Sequence, residues 1–269
     1  RIAFGLIAAF LATTPAHALT LFAVDETNNL ISFNSAAPGA TLSSVAISGL
    51  GGSSILAMDT RRSNGVTYVL TDAFGLYTVN RATGAASLVS NLALTGSNFA
   101  LDFNPVVDRL RIVSNDNSNY VFNPATNGLT PGINVAFGPA DPNFGVDPDV
   151  TSAAYLNNDN NGMTGTVLFV LDSRNDVLAT QNAATGVLTT VGATGVNLGA
   201  RTSFDIATGG AVNSPFALSG NTLYSVNLGT GAFTALGNTD RTLFALTAAV
   251  PEPATWGLMI LGFGVVGSA

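Results

Sequence analysis

The chain contains no cysteine and no lysine, and its single histidine, His17, lies close to the N-terminus. Each absence removes a class of chemistry. Ser-His-Asp and Cys-His nucleophile systems, thiolate or imidazole zinc sites and lysine Schiff bases all need side chains that the body of this protein does not carry. Carboxylates, hydroxyls, amides and tyrosines are what remain. Charge is scarce as well: nine arginines face sixteen acids, charged residues make up 9% of the chain, and the net charge is −7. No basic patch is available to neutralise phosphates, so a nucleic-acid partner is not expected.

The residues that are plentiful point to an all-β body. Hydrophobic residues form 47% of the 269-residue chain and there are 29 glycines. Short runs of Val, Thr, Phe and Tyr alternate with Gly, Asn and Pro, the punctuation of strands and tight turns. The length suits one mid-sized domain with a real core, for which missing disulfides are no handicap.

The two ends read as addresses. Residues 1–18 carry Arg1, an apolar stretch from Ile2 to Ala12, Pro15, and small residues at Ala16 and Ala18. This is the pattern of a secretory signal peptide, with signal peptidase expected to cut before Leu19. Residues 250–269 contain Pro251-Glu252-Pro253, then Trp256 and a glycine-rich apolar run. From Thr255 onward that run is shorter than the ~20 residues of a spanning helix. It resembles the PEP-CTERM sorting tail. The resemblance implies export from a Gram-negative bacterium that makes exopolysaccharide, transient anchoring in the inner membrane, cleavage near Pro-Glu-Pro by an exosortase-type enzyme, and delivery to the outer surface or matrix. The basic cluster that ends such tails in that family is not found between Pro253 and Ala269.

Between the addresses, over residues 19–249, one phrase recurs: FNSAAPG, VNRATG, FNPATNG, QNAATG and VNLGTG. Their asparagines, Asn34, Asn80, Asn123, Asn182 and Asn227, are 46, 43, 59 and 45 residues apart. Periods of about 40–50 residues indicate propeller blades. Asn folds back on its own backbone and Gly supplies a positive φ, so each phrase predicts a hairpin turn rather than a catalytic asparagine. In the second repeat the strands are expected at 55–59, 66–71, 76–80 and 85–89. The first repeat starts on its second strand, LTLFAVD, and the missing opener appears at the far end, where RTLFALTA (241–248) echoes RTSFDIAT (201–208). A last strand that completes the first sheet predicts a closed five-bladed β-propeller. A β-sandwich or open solenoid is the alternative. The phrases LDFNPVVDRLRIVS (101–114) and TQNAATGVLTTVGATGV (180–196) make this body similar to the domain-of-unknown-function family 4394, a likeness that spans roughly residues 20–247 and implies no reaction or ligand.

Two groups of residues are candidates for a site. The 59-residue interval holds FGPADPNFGVDPDV and NNDNNGMTG. There Asn157, Asp159 and Asn161 with Gly162 imitate the opening of a calcium loop, but Leu168 stands where the bidentate acid belongs. Calcium in a looser site would need Asp147 or Asp149, and solvated polar loops are the plainer reading; no other cofactor is expected. The second group is Asp59, Asp102 and Asp205, each late in the opening strand of its repeat. In a propeller those strands line the central channel, so the three carboxylates can converge on a cation or on sugar hydroxyls. The commoner role of such acids is to cap turns or pair with Arg61, Arg109 or Arg201. The expected function is an exported, non-catalytic surface or matrix propeller contacting polysaccharide or other proteins. The alternative is a glycosidase or lyase working through Asp59, Asp102 and Asp205.

Overall fold

The computed structural model describes residues 19–159, 161–209 and 212–249. The signal sequence with Ala16 and Ala18, and the tail with Pro251, Glu252 and Pro253, which as apolar segments would be expected to form an N-terminal signal helix and a C-terminal helix, lie outside the described residues. The body consists of five antiparallel sheets arranged as blades.

Blade one contains β1 (Thr20–Val24), β2 (Asn29–Asn34) and β3 (Ala37–Ala46). Blade two runs β4 (Ile55–Thr60), β5 (Thr67–Thr71), β6 (Gly75–Val79), β7 (Ala86–Asn91), and blade three β8 (Phe99–Asn104), β9 (Arg109–Ser114), β10 (Asn119–Asn123), β11 (Gly128–Pro131). A two-residue strand, β12 (Ala136–Phe137), precedes blade four, which is β13 (Val150–Tyr155), β14 (Leu168–Asp172), β15 (Val177–Gln181) and β16 (Val187–Ala193). Blade five is β17 (Ser203–Gly209), β18 (Val212–Ser219), β19 (Thr222–Val226) and β20 (Phe233–Asn238). The last strand, β21 (Phe244–Ala248), returns to blade one and pairs antiparallel with β1, placing Leu21 opposite Ala248 and Phe22 opposite Thr247. The first sheet is therefore built from both ends of the body, as the terminal echo predicts. Strand β4 packs beside β8, β8 beside β13, β13 beside β17, β17 beside β21, and β21 beside β4, so the inner strands form a complete ring.

Burial follows from this geometry. Both faces of an inner blade strand are covered by neighbouring blades, and β13 is buried at all six positions. Outer strands such as β7 and β20 are mostly open to solvent. The core consequently divides into five apolar clusters, one between each pair of adjacent blades. Leu21 and Phe33 of blade one meet Leu218 and Leu223 of blade five in one of them; Phe103 and Phe122 of blade three meet Leu70 and Leu76 of blade two in another.

The repeated phrase forms the turn between the third and fourth strands. Each asparagine oxygen accepts a backbone N–H two residues on, at Ala36, Ala82, Ala125, Ala184 and Gly229. The expected glycine at positive φ is found in blades two, four and five, whereas Asn127 takes that conformation in blade three. In blade one Asn34 pairs directly with Ala37, so the turn is shorter and needs no left-handed residue. The long interval does not break the ring. It adds β12, which pairs parallel to β16 on the outer edge of blade four, and a loop between β13 and β14.

Glycine in this turn has a second duty that local turn chemistry does not require. Gly84 has φ +72°, and a Cβ there would lie 2.0 Å from the Ala46 carbonyl oxygen of the preceding blade. Its own carbonyl accepts the Ser48 N–H at 3.0 Å, so the turn is stitched to the outer edge of blade one. Gly65 has nearly the same φ, +71°, with nothing within 4 Å of the added atom. Substituting Gly65→Ala should thus cost about 1–2 kcal/mol for the left-handed backbone alone, and Gly84→Ala roughly twice that or more because a neighbouring backbone must move. Urea unfolding of the two variants measures the difference; equal losses would contradict the stitch.

Candidate functional site

The inner strand of a blade has hydrogen-bonded neighbours on one side only. Its other edge faces the channel or the next blade, where buried N–H groups still need acceptors. The structure supplies these from side chains at one repeated position. Thr247, Asp59, Asp102, Ala154 and Asp205 occupy equivalent places in the five inner strands, opposite Phe22, Tyr68, Arg111, Phe169 and Phe216 of the second strands. Thr60 N–H donates to Thr247 Oγ1 at 3.1 Å, Phe103 N–H to Asp59 Oδ2 at 2.8 Å, Tyr155 N–H to Asp102 Oδ1 at 3.1 Å, and Ala248 N–H to Asp205 Oδ2 at 2.6 Å. Each bond joins one blade to the next. Ala154 has no acceptor to offer; between blades four and five Ser152 Oγ accepts Phe204 N–H at 2.7 Å instead, and Asp205 Oδ1 accepts the N–H of Ile206. Thr247 Oγ1 also donates to Asp59 Oδ1 at 3.2 Å, tying the closing strand to the carboxylates.

Asp59, Asp102 and Asp205 therefore do converge. All are buried, with one oxygen of each within 4.8 Å of the others, and they are the one such group of three metal-ligating side chains among the described residues. The alternative pairing with arginines does not occur. Arg61 forms a two-point ion pair with Asp108, Arg109 donates to the carbonyls of Val107 and Asp108, and Arg201 lies over the Phe244 ring at 4.3 Å. Burial, then the charge of Asp205, pushes the Asp59 carboxyl up to about 7. Burial followed by the charges of Asp59 and Asp205 raises Asp102 well above the carboxylate range, and burial raises Asp205. Such a cluster is neutralised by shared protons or by one small cation.

A cavity lined by Met58, Leu101, Thr151, Ser203 and Leu246 among others, with none of the three aspartates in its wall, has a volume of about 30 Å³. That accommodates one or two waters, not a sugar ring. Glycosidases hold their carboxyl groups on either side of a bond, roughly 5–9.5 Å apart. Here one oxygen of each carboxylate lies within 4.8 Å of the others, and each carboxylate accepts a backbone N–H.

Of the residues of the long interval, Asp147 and Asp149 precede β13, while Asn157, Asp159 and Asn161 lie in the loop between β13 and β14. Asp147 accepts from Asn117 Nδ2 and lies 3.4 Å from Arg174, while Asp149 Oδ2 accepts from Ser173. In the following loop Asp159 Oδ1 accepts the Asn161 N–H and the Thr164 hydroxyl, Asn161 Oδ1 accepts the Met163 N–H, and Asn157 exchanges hydrogen bonds with Asn213. Asp147, Asp149 and Asp159 form no group of three acids at ligating distance. Residue-type reasoning also missed Thr247 and Ser152, whose hydroxyls extend the acceptor ring; aligning the inner strands residue by residue is the signal that finds them.

Ring closure by β21, five inter-blade clusters and an inward row of acceptors define a five-bladed β-propeller with a buried carboxylate centre. The profile of the family described as "Domain of unknown function (DUF4394)" matches residues 29–247, and the chain belongs to that family. No curated protein matches the chain. Among solved structures, a chain of a nidogen/laminin complex is similar with a TM-score of 0.56 at 9% identity, over 87% of this chain and 99% of that one. A structural-genomics protein of unknown function from Bacteroides thetaiotaomicron VPI-5482 is similar with a TM-score of 0.51 at 13% identity, over 85% of this chain and 56% of that one. These likenesses concern the fold.

Raised carboxylates bind more protons in the folded than in the unfolded state, so their contribution to stability is complete below the unfolded value of 3.8 and is lost as pH climbs towards about 7. Acids held low by hydrogen bonds, such as Asp108 beside Arg61, lose their contribution only as pH falls below 3.8. In chelator the thermal midpoint should fall between pH 4.5 and 7.5, and Asp59→Asn should flatten that fall. Identical slopes for the two proteins would refute shared protons as the neutralising device. A midpoint at pH 8 that rises on adding calcium would identify an ion in their place.

Proposed function

We propose that this protein is an exported, non-catalytic propeller of the cell surface or extracellular matrix, which binds polysaccharide or surface proteins with its outer faces. The observation that carries this reading is the use made of the three central carboxylates. Each accepts an N–H from the next blade, and each is buried. These acids have a role in holding the ring that needs no substrate. The side chains left on the outside are rich in hydroxyls and amides, which suits a hydroxyl-bearing partner. The secretory pattern of residues 1–18 and the PEP-CTERM-like residues 250–269 support delivery to the outer surface of a Gram-negative cell, after processing by signal peptidase and an exosortase-type enzyme.

Purified protein and a variant carrying Asp59→Asn, Asp102→Asn and Asp205→Asn should be incubated with exopolysaccharide from a Gram-negative producer. Asparagine keeps an oxygen acceptor at each position, so the ring should persist. Both proteins should bind the polymer equally and leave its chain length unchanged. Release of reducing or unsaturated ends by the wild type, abolished in the variant, would establish the rival glycosidase or lyase.

A further inference from the structure

Leu19 and Ala249 leave the ring on the same side. Thr247 holds the place in β21 that Asp59 holds in β4, so Ala249, two residues on, is level with Arg61, where blade two turns from β4 towards β5. Ala249 N–H donates to the Thr20 carbonyl at 2.9 Å, which brings Leu19 out beside it. Both exits therefore lie on the side of the loops that join first to second strands. Apolar sequence adjoins each exit: residues 2–12 stand before Leu19, and the run from Thr255 stands after Ala249. The intervening residues, 250–254, span at most about 20 Å even when fully extended.

This side is marked by its surface as well. It exposes Val106 and Val107 between β8 and β9, Met163 between β13 and β14, and Val212 at the start of β18, with Met163 94% and Val212 65% exposed. These loops touch one another. A Cβ on Gly162 would lie 3.8 Å from the Val106 carbonyl oxygen, and Asn157 exchanges two hydrogen bonds with Asn213. The turns between second and third strands, on the opposite side, carry none of the large exposed apolar side chains among the described residues. Charge divides in the same sense. The apolar side has Arg61, Arg62 and Arg109 with Asp108 and Asp159, whereas the opposite turns have Asp25, Glu26, Asp72, Asp116 and Asp176 with Arg174. An anionic surface repels the second set and accepts the first.

We propose that this loop side faces the membrane while the tail anchors the protein, with Val107, Met163 and Val212 resting in the headgroup region of the bilayer. Exposed apolar side chains gain by leaving water there, and a tether of at most about 20 Å keeps them within reach. The inference rests on the anchored-export reading above and deepens it. It turns the acidic side away from the bilayer, so that side and the rim are what meet polysaccharide or surface proteins.

The chain has no cysteine, so a single introduced thiol carries a unique label. Met163→Cys, Val212→Cys and, on the opposite side, Glu26→Cys are made in the whole chain, labelled with an environment-sensitive fluorophore and reconstituted with phosphatidylethanolamine–phosphatidylglycerol vesicles, with and without a lipid-borne quencher. In protein that floats with the vesicles, the first two labels should shift to the blue and be quenched, and the third should do neither. Adding Val107→Asp and Val212→Asp to the Met163→Cys chain changes two exposed positions, and should abolish the shift while leaving the thermal midpoint unchanged. A shift that survives both aspartates would overturn the apolar seating. Floating protein whose three labels all stay in water, or whose Glu26→Cys label alone is quenched, would overturn the assignment of this side and leave anchoring intact. Protein that does not float would overturn anchoring, and the inference with it. A blue shift that needs no lipid and grows with protein concentration would give this side to a second copy of the chain in place of the membrane.

Discussion

Pairing of Phe244–Ala248 with Thr20–Val24 is the contact on which the rest of the molecule depends. Without it, five hairpin sheets would form a linear stack with two open ends and an unpaired inner edge. With it, every blade has two covered faces, which is why the core separates into five equivalent inter-blade clusters. Closure also creates the ring centre. It brings Asp59 and Asp205, 146 positions apart by their numbers, against the same few ångströms of channel, and it sets Thr247 of the closing strand between them.

The centre shows how a reactive-looking set of groups can be structural. A short acid at one inner-strand position reaches the next strand's N–H, and three of the five blades use it. The cost is that like charges share a water-poor channel, which raises the carboxyl pKa values and makes the ring's stability depend on protonation near neutrality. A different exception to the repeat lies in blade four. Before the turn asparagine, Phe33, Val79, Phe122 and Val226 are buried hydrocarbon, whereas Gln181 is a buried amide without a hydrogen-bond partner among the described residues.

Much of the fold was legible in the sequence because hairpin chemistry is local. Asn80 in VNRATG specifies its own turn, and the strands expected around it at 55–59, 66–71, 76–80 and 85–89 form at 55–60, 67–71, 75–79 and 86–91. Closure was legible too, from the echo of RTSFDIAT in RTLFALTA, since two strands with the same job in a ring carry the same pattern. The meeting of the three aspartates stood only as one of two options, because it is a long-range consequence of closure and adjacent arginines offered a local alternative. Thr247 and Ser152 gave no signal by residue type; a hydroxyl in a strand acquires meaning only when its register across the ring is known. Asn127 holds the place of Gly84, Gly186 and Gly231, four residues after the turn asparagine, where an asparagine tolerates positive φ, and only the first turn departs from the phrase by its loop length. Gln181 is visible in the row FN, VN, FN, QN, VN, yet that row becomes informative only once the position is known to be buried.

Closure is most directly measured by a covalent trap, which the absence of native cysteine makes clean. Leu21 and Ala248 are directly opposed on antiparallel strands, a relation that suits a disulfide when Cα atoms are ~4.4–6.8 Å apart. A chain carrying Leu21→Cys and Ala248→Cys should, on mild oxidation, form an intramolecular cross-link in nearly every molecule, remain monomeric under denaturing conditions, and unfold at a higher temperature than its reduced form. Cross-links found only between chains, or two thiols that stay free in the folded protein, would contradict the closed ring.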